Sequence, residues 1–409
     1  MKKARNIISI IIINLLIIGI VLEVGFRLLA PGLGGQVGVA ARWVTTGQPY
    51  PDAWEAPWQQ SDRHYYALRP GITDEIQYGS PTVSFQLTTI ELWENAGIGV
   101  RNAPVDYFVD AVVVGDSFGF CFTEKADCWV DQLAAQTGRG LVNLSQPVTG
   151  TTSHFRMLET FGKPMTPPLV IWQAFGNDFN DDYGLAVFNN EIDPVADDSV
   201  KDDANAEANS IGGWLRRNSV TVAVIETALT GTYLAVPDGE QIHAKPHIVT
   251  FGDDNQHTLQ FGSRYEQQAL DMSREENQIG LEYSRDALQD AKTLIDEWDG
   301  QLAIVMMPTR EEVYQHLTAP ILGDETIARL QSARETWHDL CNEFSIACYD
   351  PYDLFVERAL SGEALYHVDD MHLNAHGNAI LADGLAQWLS DNDLMTCNPA
   401  IIPDCDPDI

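Results

Sequence analysis

Basic side chains are scarce in this chain of 409 residues, which has 24 Lys and Arg against 59 Asp and Glu and a formal net charge of −35. Lysine is especially rare, with seven residues: Lys2, Lys3, Lys125, Lys163, Lys201, Lys245 and Lys292. So negative a field repels phosphate backbones and anionic lipid, and we expect neither a nucleic-acid partner nor a basic membrane-binding patch. Apolar residues still make up 45% of the chain, which is enough for a globular core.

The cysteines lack C-x-x-C spacing, and no His stands at zinc-finger distance, so they do not predict a zinc site. Instead they fall into three close sequence pairs: Cys121 with Cys128, Cys341 with Cys348, and Cys397 with Cys405. Local pairing is the simplest of the possible disulfide connectivities. Disulfides form in oxidising compartments, which predicts a location outside the cytoplasm. Buried free thiols are the alternative.

The N-terminus predicts a membrane anchor. A basic start precedes an apolar run from Ile7 to Leu22, and the sequence stays mostly apolar as far as Ala30. About 20 apolar residues are needed to span a bilayer. A cleaved signal peptide is the alternative, but no clean small-x-small cleavage site follows. Residues 1–30 therefore predict an uncleaved, single-pass transmembrane helix, with the basic end inside and the rest of the chain extracytoplasmic.

Short apolar strands that alternate with helical patterns predict an α/β fold with a parallel sheet covered on both faces. The predicted strands are Ala111–Val114, Leu141–Leu144, Leu169–Ala174, Ala303–Met307 and Ser345–Tyr349. Helical periodicity covers Met272–Trp298 and Ala375–Leu389. Residues 31–61 read as a linker, 62–395 as the main domain and 396–409 as a tail.

An insertion at about residues 183–270 exceeds what a minimal α/β domain needs. It begins with an acidic stretch that is poor in aromatic residues, which we interpret as a surface loop. Trp214–Leu229 predicts an amphipathic helix, and Ile248–Phe251 with Thr258–Phe261 predicts a hairpin. We expect the insertion to lie over the main domain as a lid-like region.

Residues that can perform serine catalysis follow the predicted strands. Ser117 stands in a Gly-Asp-Ser turn after the first strand, and Asn177 follows the third in Gly-Asn-Asp. His372 lies near the end of the domain with Asp369 three positions earlier. In doubly wound sheets ligands bind beyond the carboxyl ends of the strands. A serine nucleophile needs a His to take its proton and a carboxylate to fix the imidazole tautomer, so these residues predict one active site.

These blocks resemble those of the SGNH hydrolases, also called the GDSL type. That family carries Ser in Gly-Asp-Ser, a Gly, an Asn in Gly-x-Asn-Asp and a C-terminal Asp-x-x-His, which here match Ser117, Gly150, Asn177 and Asp369 with His372. The resemblance covers roughly residues 85 to 390 and implies a doubly wound, flavodoxin-like three-layer sandwich with about five strands. The anchor and the segment Pro-Thr-Arg-Glu-Glu-Val-Tyr also resemble membrane-anchored members of the family.

The resemblance implies a role for each matched residue. Ser117 is the nucleophile, His372 the base and Asp369 its orienting carboxylate, while Gly150 and Asn177 supply the oxyanion hole. Asp370 is a rival for the carboxylate role, at a spacing of two from His372. Arg310, after the fourth strand, is a candidate substrate contact. No cofactor is implied.

Other interpretations fit the same residues less well. Gly115-x-Ser117-x-Gly119 matches the nucleophile elbow of α/β hydrolases, but here it follows the first strand of the predicted sheet, with no room upstream for the earlier strands of that fold. Asp178-x-Asn180-x-Asp182 is similar to a calcium loop, yet the glycine and glutamate positions do not match. We therefore predict no metal site.

The predicted function is a serine esterase of the outer cell surface that removes a small acyl group, for example acetyl, from a carbohydrate or lipid ester. Acyl transfer to a cell-surface polysaccharide uses the same residues and is one alternative. A catalytically inactive, polysaccharide-binding relative is the other, although such a module has no need of the complete residue set. The sequence does not indicate an oligomeric state.

Overall fold

The computed structural model describes residues 2–33, 35–46, 58–61, 65–78, 83–102, 109–195, 214–215, 218–230 and 247–395. Its helices, in chain order, are α1 Lys2–Leu29, α2 Gly35–Thr46, α3 Ser117–Phe120, α4 Trp129–Thr137, α5 Thr151–Met157, α6 Asp178–Phe188, α7 Val220–Thr230, α8 Arg264–Ala269, α9 Glu275–Asp296, α10 Arg310–Val313, α11 Gln315–Leu322, α12 Asp324–Phe344, α13 Tyr352–Leu360 and α14 Ala375–Asp391. Its strands are β1 Trp58–Ser61, β2 Tyr65–Leu68, β3 Thr73–Tyr78, β4 Val83–Thr88, β5 Ile90–Glu91, β6 Gly99–Val100, β7 Ala111–Val114, β8 Leu141–Asn143, β9 Leu169–Ala174, β10 His247–Phe251, β11 His257–Phe261, β12 Gln301–Met306 and β13 Ala347–Tyr349.

Five parallel strands form the main sheet, in the spatial order β8-β7-β9-β12-β13. The chain runs from β7 outward to the edge strand β8 and then crosses back to the central strand β9 on the other side of β7. The direction of winding therefore reverses between β7 and β9, and sheets of this type bind ligands beyond the carboxyl ends of the strands at such a point. The predicted five-stranded parallel sheet is confirmed.

Strands β7 and β9 are buried along their whole length and, apart from Gln173 in β9, are apolar, because helices cover both faces of a parallel sheet. All four residues of β7 and all six of β9 are buried. Two buried tryptophans bind the segments that follow these strands. Trp129 donates its indole N–H to the carbonyl of Phe118 in α3 at 3.0 Å, and Trp337 donates to that of Phe175, directly after β9, at 3.1 Å. The core thereby fixes both segments at the carboxyl edge of the sheet.

Shorter strand pairs precede the sheet in the sequence. β1 pairs with β2, β3 with β4, and β5 with β6. In β4 the buried residues Val83, Phe85 and Leu87 alternate with exposed ones, which is the pattern of a strand with one face on a core. The predicted hairpin in the insertion is present as the antiparallel pair β10 and β11.

Helices α1, α2 and α7 belong to a separate compact unit that comprises residues 1–55, 78–81 and 196–245. α2 lies within the range that the sequence predicts as a linker. Ala41 of α2 packs with Val220 and Val224 of α7 in a small apolar cluster. The remaining residues form the larger unit, which contains the sheet.

The N-terminal helix differs from the predicted anchor over residues 1–30. None of the helices in the part of the chain that the structure describes is both long enough and apolar enough to cross a bilayer. The carboxylate of Glu23 accepts hydrogen bonds from Ser219 Oγ at 2.8 Å and from the N–H groups of Val220 and Thr221 at 3.1 Å each. These bonds outweigh the effect of burial and lower the pKa of Glu23 to about 2.

Candidate active site

Ser117 is the first residue of α3 and follows β7 at the carboxyl edge of the sheet. Asp116 caps this short helix, since its Oδ1 accepts a hydrogen bond from the N–H of Phe118 at 2.8 Å. The Asp116 side chain is completely buried, and this burial raises its pKa to about 6. Asp116 therefore shapes the turn that presents the serine hydroxyl.

Glycines flank Ser117 because neighbouring side chains leave no space for a Cβ. A Cβ on Gly115 would lie 2.4 Å from Oε1 of Gln173, and one on Gly119 would lie 2.2 Å from Oγ of Ser145. Gln173 Oε1 uses this proximity to accept hydrogen bonds from the N–H groups of Asp116 and Gly119, each at 2.9 Å. Gln173, a polar residue inside an apolar strand, was not predicted as part of the site, although its position in β9 is a signal in the sequence.

The structure brings Ser117 and His372 together across 255 positions of sequence. Nε2 of His372 lies 2.7 Å from Oγ of Ser117, which is a hydrogen-bonding distance. The imidazole is 4% exposed and packs against the rings of Phe118 and Phe122, at centroid distances of 4.8 and 4.4 Å. Because these rings hold the imidazole in place, Nε2 is directed at the serine hydroxyl.

The carboxylate that binds the other ring nitrogen is that of Asp370, and the prediction of Asp369 is corrected. Oδ1 of Asp370 lies 2.5 Å from Nδ1 of His372 and accepts the backbone N–H of His372 at 2.9 Å. Burial alone would raise the pKa of Asp370, but the hydrogen bonds and charge of His372 lower it to about 2. The side chain is therefore ionised at neutral pH and holds Nδ1 in its protonated form.

Main-chain contacts fix the loop that carries this pair. The N–H of His367 donates to the carbonyl of His372 at 3.0 Å, and Tyr366 forms an isolated antiparallel bridge with Leu373. Asn374 then caps α14 by accepting a hydrogen bond from the N–H of Gly377 at 2.9 Å. The two ends of the loop are therefore paired with each other, and Asp370 lies between them beside His372.

The two predicted oxyanion residues lie at neighbouring helix starts. Gly150 precedes α5, and a Cβ there would lie 2.5 Å from the carbonyl oxygen of Asp178 in α6. Asn177 precedes α6 and donates its amide to Oδ2 of Asp181 at 3.0 Å and to Oη of Tyr265 at 3.2 Å. Its Oδ1 is buried and has no hydrogen-bond partner in the described part of the chain. The oxyanion role of both residues stays a prediction.

Arg310, predicted as a substrate contact, is instead buried in the protein. Its side chain is 4% exposed, and its Nη1 donates to the backbone carbonyl of Asp370 at 2.8 Å. Nη2 and Nε form ion pairs with Glu266 and Glu311, both at 3.4 Å. With its donors directed at the protein, the guanidinium is not placed to bind a substrate.

Two of the three predicted disulfides are present. Cys121 is bonded to Cys128, with a Cα–Cα distance of 5.5 Å, and Cys341 to Cys348, with one of 6.3 Å. Cys121 directly follows α3, so the first bond closes the loop of chain that leaves the C-terminal end of this helix. The predicted pair Cys397 and Cys405 lies outside the described residues.

Neither a family model nor a curated protein matches this chain. It is similar to the solved structure of a G-D-S-L family protein from Desulfitobacterium hafniense DCB-2 (12% identity, TM-score 0.35, covering 68% of this chain and 98% of that one). It is also similar to an acetyl xylan esterase (10%, 0.36, 68% and 99%) and to an alpha/beta hydrolase enzyme from the metagenome of Lake Arreo, Spain (11%, 0.37, 70% and 98%). Because these identities and TM-scores are low, no residue role is transferred from the neighbours, and the functional assignment depends on the geometry of the site.

Proposed function

We propose that this protein is a serine esterase of the SGNH type, which removes a small acyl group from a carbohydrate or lipid ester. The observation that carries the proposal is the continuous chain of hydrogen bonds from Ser117 Oγ through His372 to Asp370, with distances of 2.7 and 2.5 Å. A serine, an imidazole and an ionised carboxylate in this order are the groups that acyl transfer to a serine requires.

The arrangement supports a two-step reaction. As Ser117 Oγ attacks the ester carbonyl, Nε2 of His372 takes the hydroxyl proton and later gives it to the leaving alcohol. Asp370 stabilises the imidazolium that forms between these events. Water then attacks the acyl-Ser117 ester, with His372 again as the base, and releases the free acid. Each proton is thus transferred through Nε2, while Nδ1 stays bound to Asp370.

Stabilisation of the tetrahedral oxyanion needs donors at the carboxyl edge of the sheet. The backbone N–H of Gly150 and the side-chain amide of Asn177 are the candidates, since both lie at helix starts beside that edge. The Asn177 amide is bound to Asp181 and Tyr265 in this structure. It must therefore exchange at least one of these bonds to donate to an oxyanion.

The burial of the site favours a small acyl group. Ser117 is 7% exposed and His372 is 4% exposed, which leaves little of either side chain accessible to a bulky acyl chain. The two disulfides favour an oxidising compartment, and we infer that the enzyme acts outside the cytoplasm.

Hydrolysis of p-nitrophenyl acetate by the purified full-length chain tests the proposal. We expect Ser117→Ala to lower kcat/KM by about 10⁴-fold or more while the protein stays folded. Ser145→Ala is the matched control, because its hydroxyl is also buried beside α3 but lies against Gly119, and it should retain activity. A phosphonate ester should also label Ser117, as seen by mass spectrometry. Undiminished hydrolysis by Ser117→Ala would exclude the mechanism.

A further inference from the structure

A buried ion cluster of Arg310, Glu266 and Glu311 lies behind the catalytic carboxylate. The three side chains are 4%, 2% and 1% exposed. Arg310 connects the cluster to the site, since its Nη1 donates to the backbone carbonyl of Asp370 at 2.8 Å. The same residue presents its side-chain Oδ1 to His372. The guanidinium thus acts on the main chain of the residue whose side chain orients the catalytic imidazole.

The cluster also joins the β10–β11 hairpin of the insertion to the loop that carries Asp370 and His372. The N–H of Gly262, directly after β11, donates to Oε1 of Glu311 at 2.9 Å. Two residues earlier, the N–H of Gln260 donates to the carbonyl of Val368 at 2.7 Å. The loop before His372 is therefore held at two points. The hairpin binds it at Val368, and Arg310 binds it at Asp370.

The charges of the cluster balance only if it holds a proton. One guanidinium faces two carboxyl groups, and Glu266 Oε1 and Glu311 Oε2 are buried without a hydrogen-bond partner in the described part of the chain. Burial, followed by the charge of Glu311, raises the pKa of Glu266 to about 8. One proton on the carboxyl pair makes the group of three neutral, which is the arrangement that burial favours.

We propose that Arg310 is a positioning residue for the catalytic triad. Glu266 and Glu311 hold its guanidinium in place, and the guanidinium in turn holds Asp370 against Nδ1 of His372. The inference rests on the proposed esterase site and assigns to Arg310 a role through Asp370, without substrate contact. A displacement of about 1 Å in a catalytic group lowers the rate by about 10²-fold. Loss of Arg310 should therefore lower kcat and leave KM nearly unchanged.

The test compares the full-length protein with Arg310→Gln, Arg310→Lys and a matched control, Arg334→Gln. Arg334 is the matched control because it also lies between two carboxylates, Glu312 at 3.1 Å and Asp350 at 2.6 Å, and is mostly covered, with a side chain that is 13% exposed. Proton NMR of the protein labelled with ¹⁵N-histidine measures the low-field Nδ1–H signal of His372, assigned by its loss in His372→Asn. The kinetic measurement gives kcat and KM for p-nitrophenyl acetate.

We expect Arg310→Gln to shift the Nδ1–H signal upfield or abolish it and to lower kcat by about 10 to 10²-fold with KM within about twofold. Arg310→Lys should be intermediate, and Arg334→Gln should match the wild type. An unchanged signal in Arg310→Gln, or the same loss in Arg334→Gln, would overturn the proposal. If Arg310→Gln does not fold, Arg310→Lys decides by the same signal. An inactive wild type would refute the esterase, whereas the NMR comparison still decides the positioning role.

Discussion

Two adjacent carboxylates, Asp369 and Asp370, are nearly equivalent in the sequence and differ in the structure. Only the loop path decides which of them meets the imidazole of His372. That path is set by hydrogen bonds from remote segments, of Gln260 to Val368 and of Arg310 to Asp370. Such contacts leave no local pattern. For this reason Ser117 and His372 could be predicted from their places at strand ends and in the motif, whereas the choice of carboxylate could not.

Replacement of each carboxylate by its amide separates the two roles. In Asp370→Asn the side chain is no longer an anion that accepts a hydrogen bond from Nδ1–H. The amide can donate to Nδ1 instead, which stabilises the imidazole tautomer with its proton on Nε2. We expect kcat for p-nitrophenyl acetate to fall by about 10⁴-fold. Asp369→Asn should cost less than about tenfold, since Asp369 is not the group at Nδ1. A larger loss in Asp369→Asn than in Asp370→Asn would restore the prediction made from the sequence.

At the scale of elements, continuous apolar runs predicted the sheet well. β7 and β9 match their predicted bounds, because buried parallel strands are apolar on both faces. The helix α2 was not predicted, since its sequence contains two glycines and several β-branched residues. Its cluster with α7 depends on Val220 and Val224, which are 179 and 183 positions from Ala41, and tertiary packing of this kind supplies most helical stability. Local propensity therefore predicts the sheet better than it predicts α2.

Two glycines in helices of the larger unit lead to opposite predictions for stability. Gly119→Ala in α3 would place a Cβ 2.2 Å from Ser145 Oγ, so we expect a loss of about 1 to 3 kcal/mol in the free energy of unfolding and a lower kcat. Gly184→Ala, inside α6, meets no described atom within 4 Å and should stabilise the protein by about 0.5 to 1 kcal/mol. Thermal unfolding and esterase kinetics measure both. Full activity in a stable Gly119→Ala protein would show that the nucleophile turn is not tightly packed.

At the scale of the whole molecule, the carboxyl groups behind the net charge of −35 are of two kinds, exposed and buried. In the part of the chain that the structure describes, most are not buried, and salt screens the repulsion among exposed ones. A few are buried in the larger unit, and burial is the largest cause that raises the pKa of each. The values are about 6 for Asp116, 7 for Asp182, 8 for Glu266 and 7 for Glu312, from ordinary values of 3.8 for Asp and 4.5 for Glu. The folded protein therefore binds more protons than the unfolded chain between about pH 4.5 and 8.

This excess of bound protons predicts that stability falls as the pH rises. A carboxyl group with a raised pKa contributes fully below its unfolded pKa, and its contribution is lost as the pH rises through its folded pKa. Each group lowers the free energy of unfolding by up to about 1.4 kcal/mol per pH unit within that window. Asp370, with its pKa lowered to about 2, has the opposite effect, which is confined to acid below its ordinary value of 3.8. We therefore expect the protein to be more stable at pH 5 than at pH 8.

Urea unfolding at pH 5 and pH 8, in 0.1 M and 1 M salt, separates buried groups from surface repulsion. Salt at 1 M shortens the screening length to about 3 Å, which removes most repulsion among exposed carboxylates but not the cost of ionising a buried one. The difference between pH 5 and pH 8 should therefore persist at 1 M salt. Asp182→Asn should reduce it, since an amide can still accept from Thr152 N–H and donate to Ser284 Oγ without titrating. A difference that vanishes in 1 M salt and is unchanged in Asp182→Asn would mean that surface charge alone sets the pH dependence.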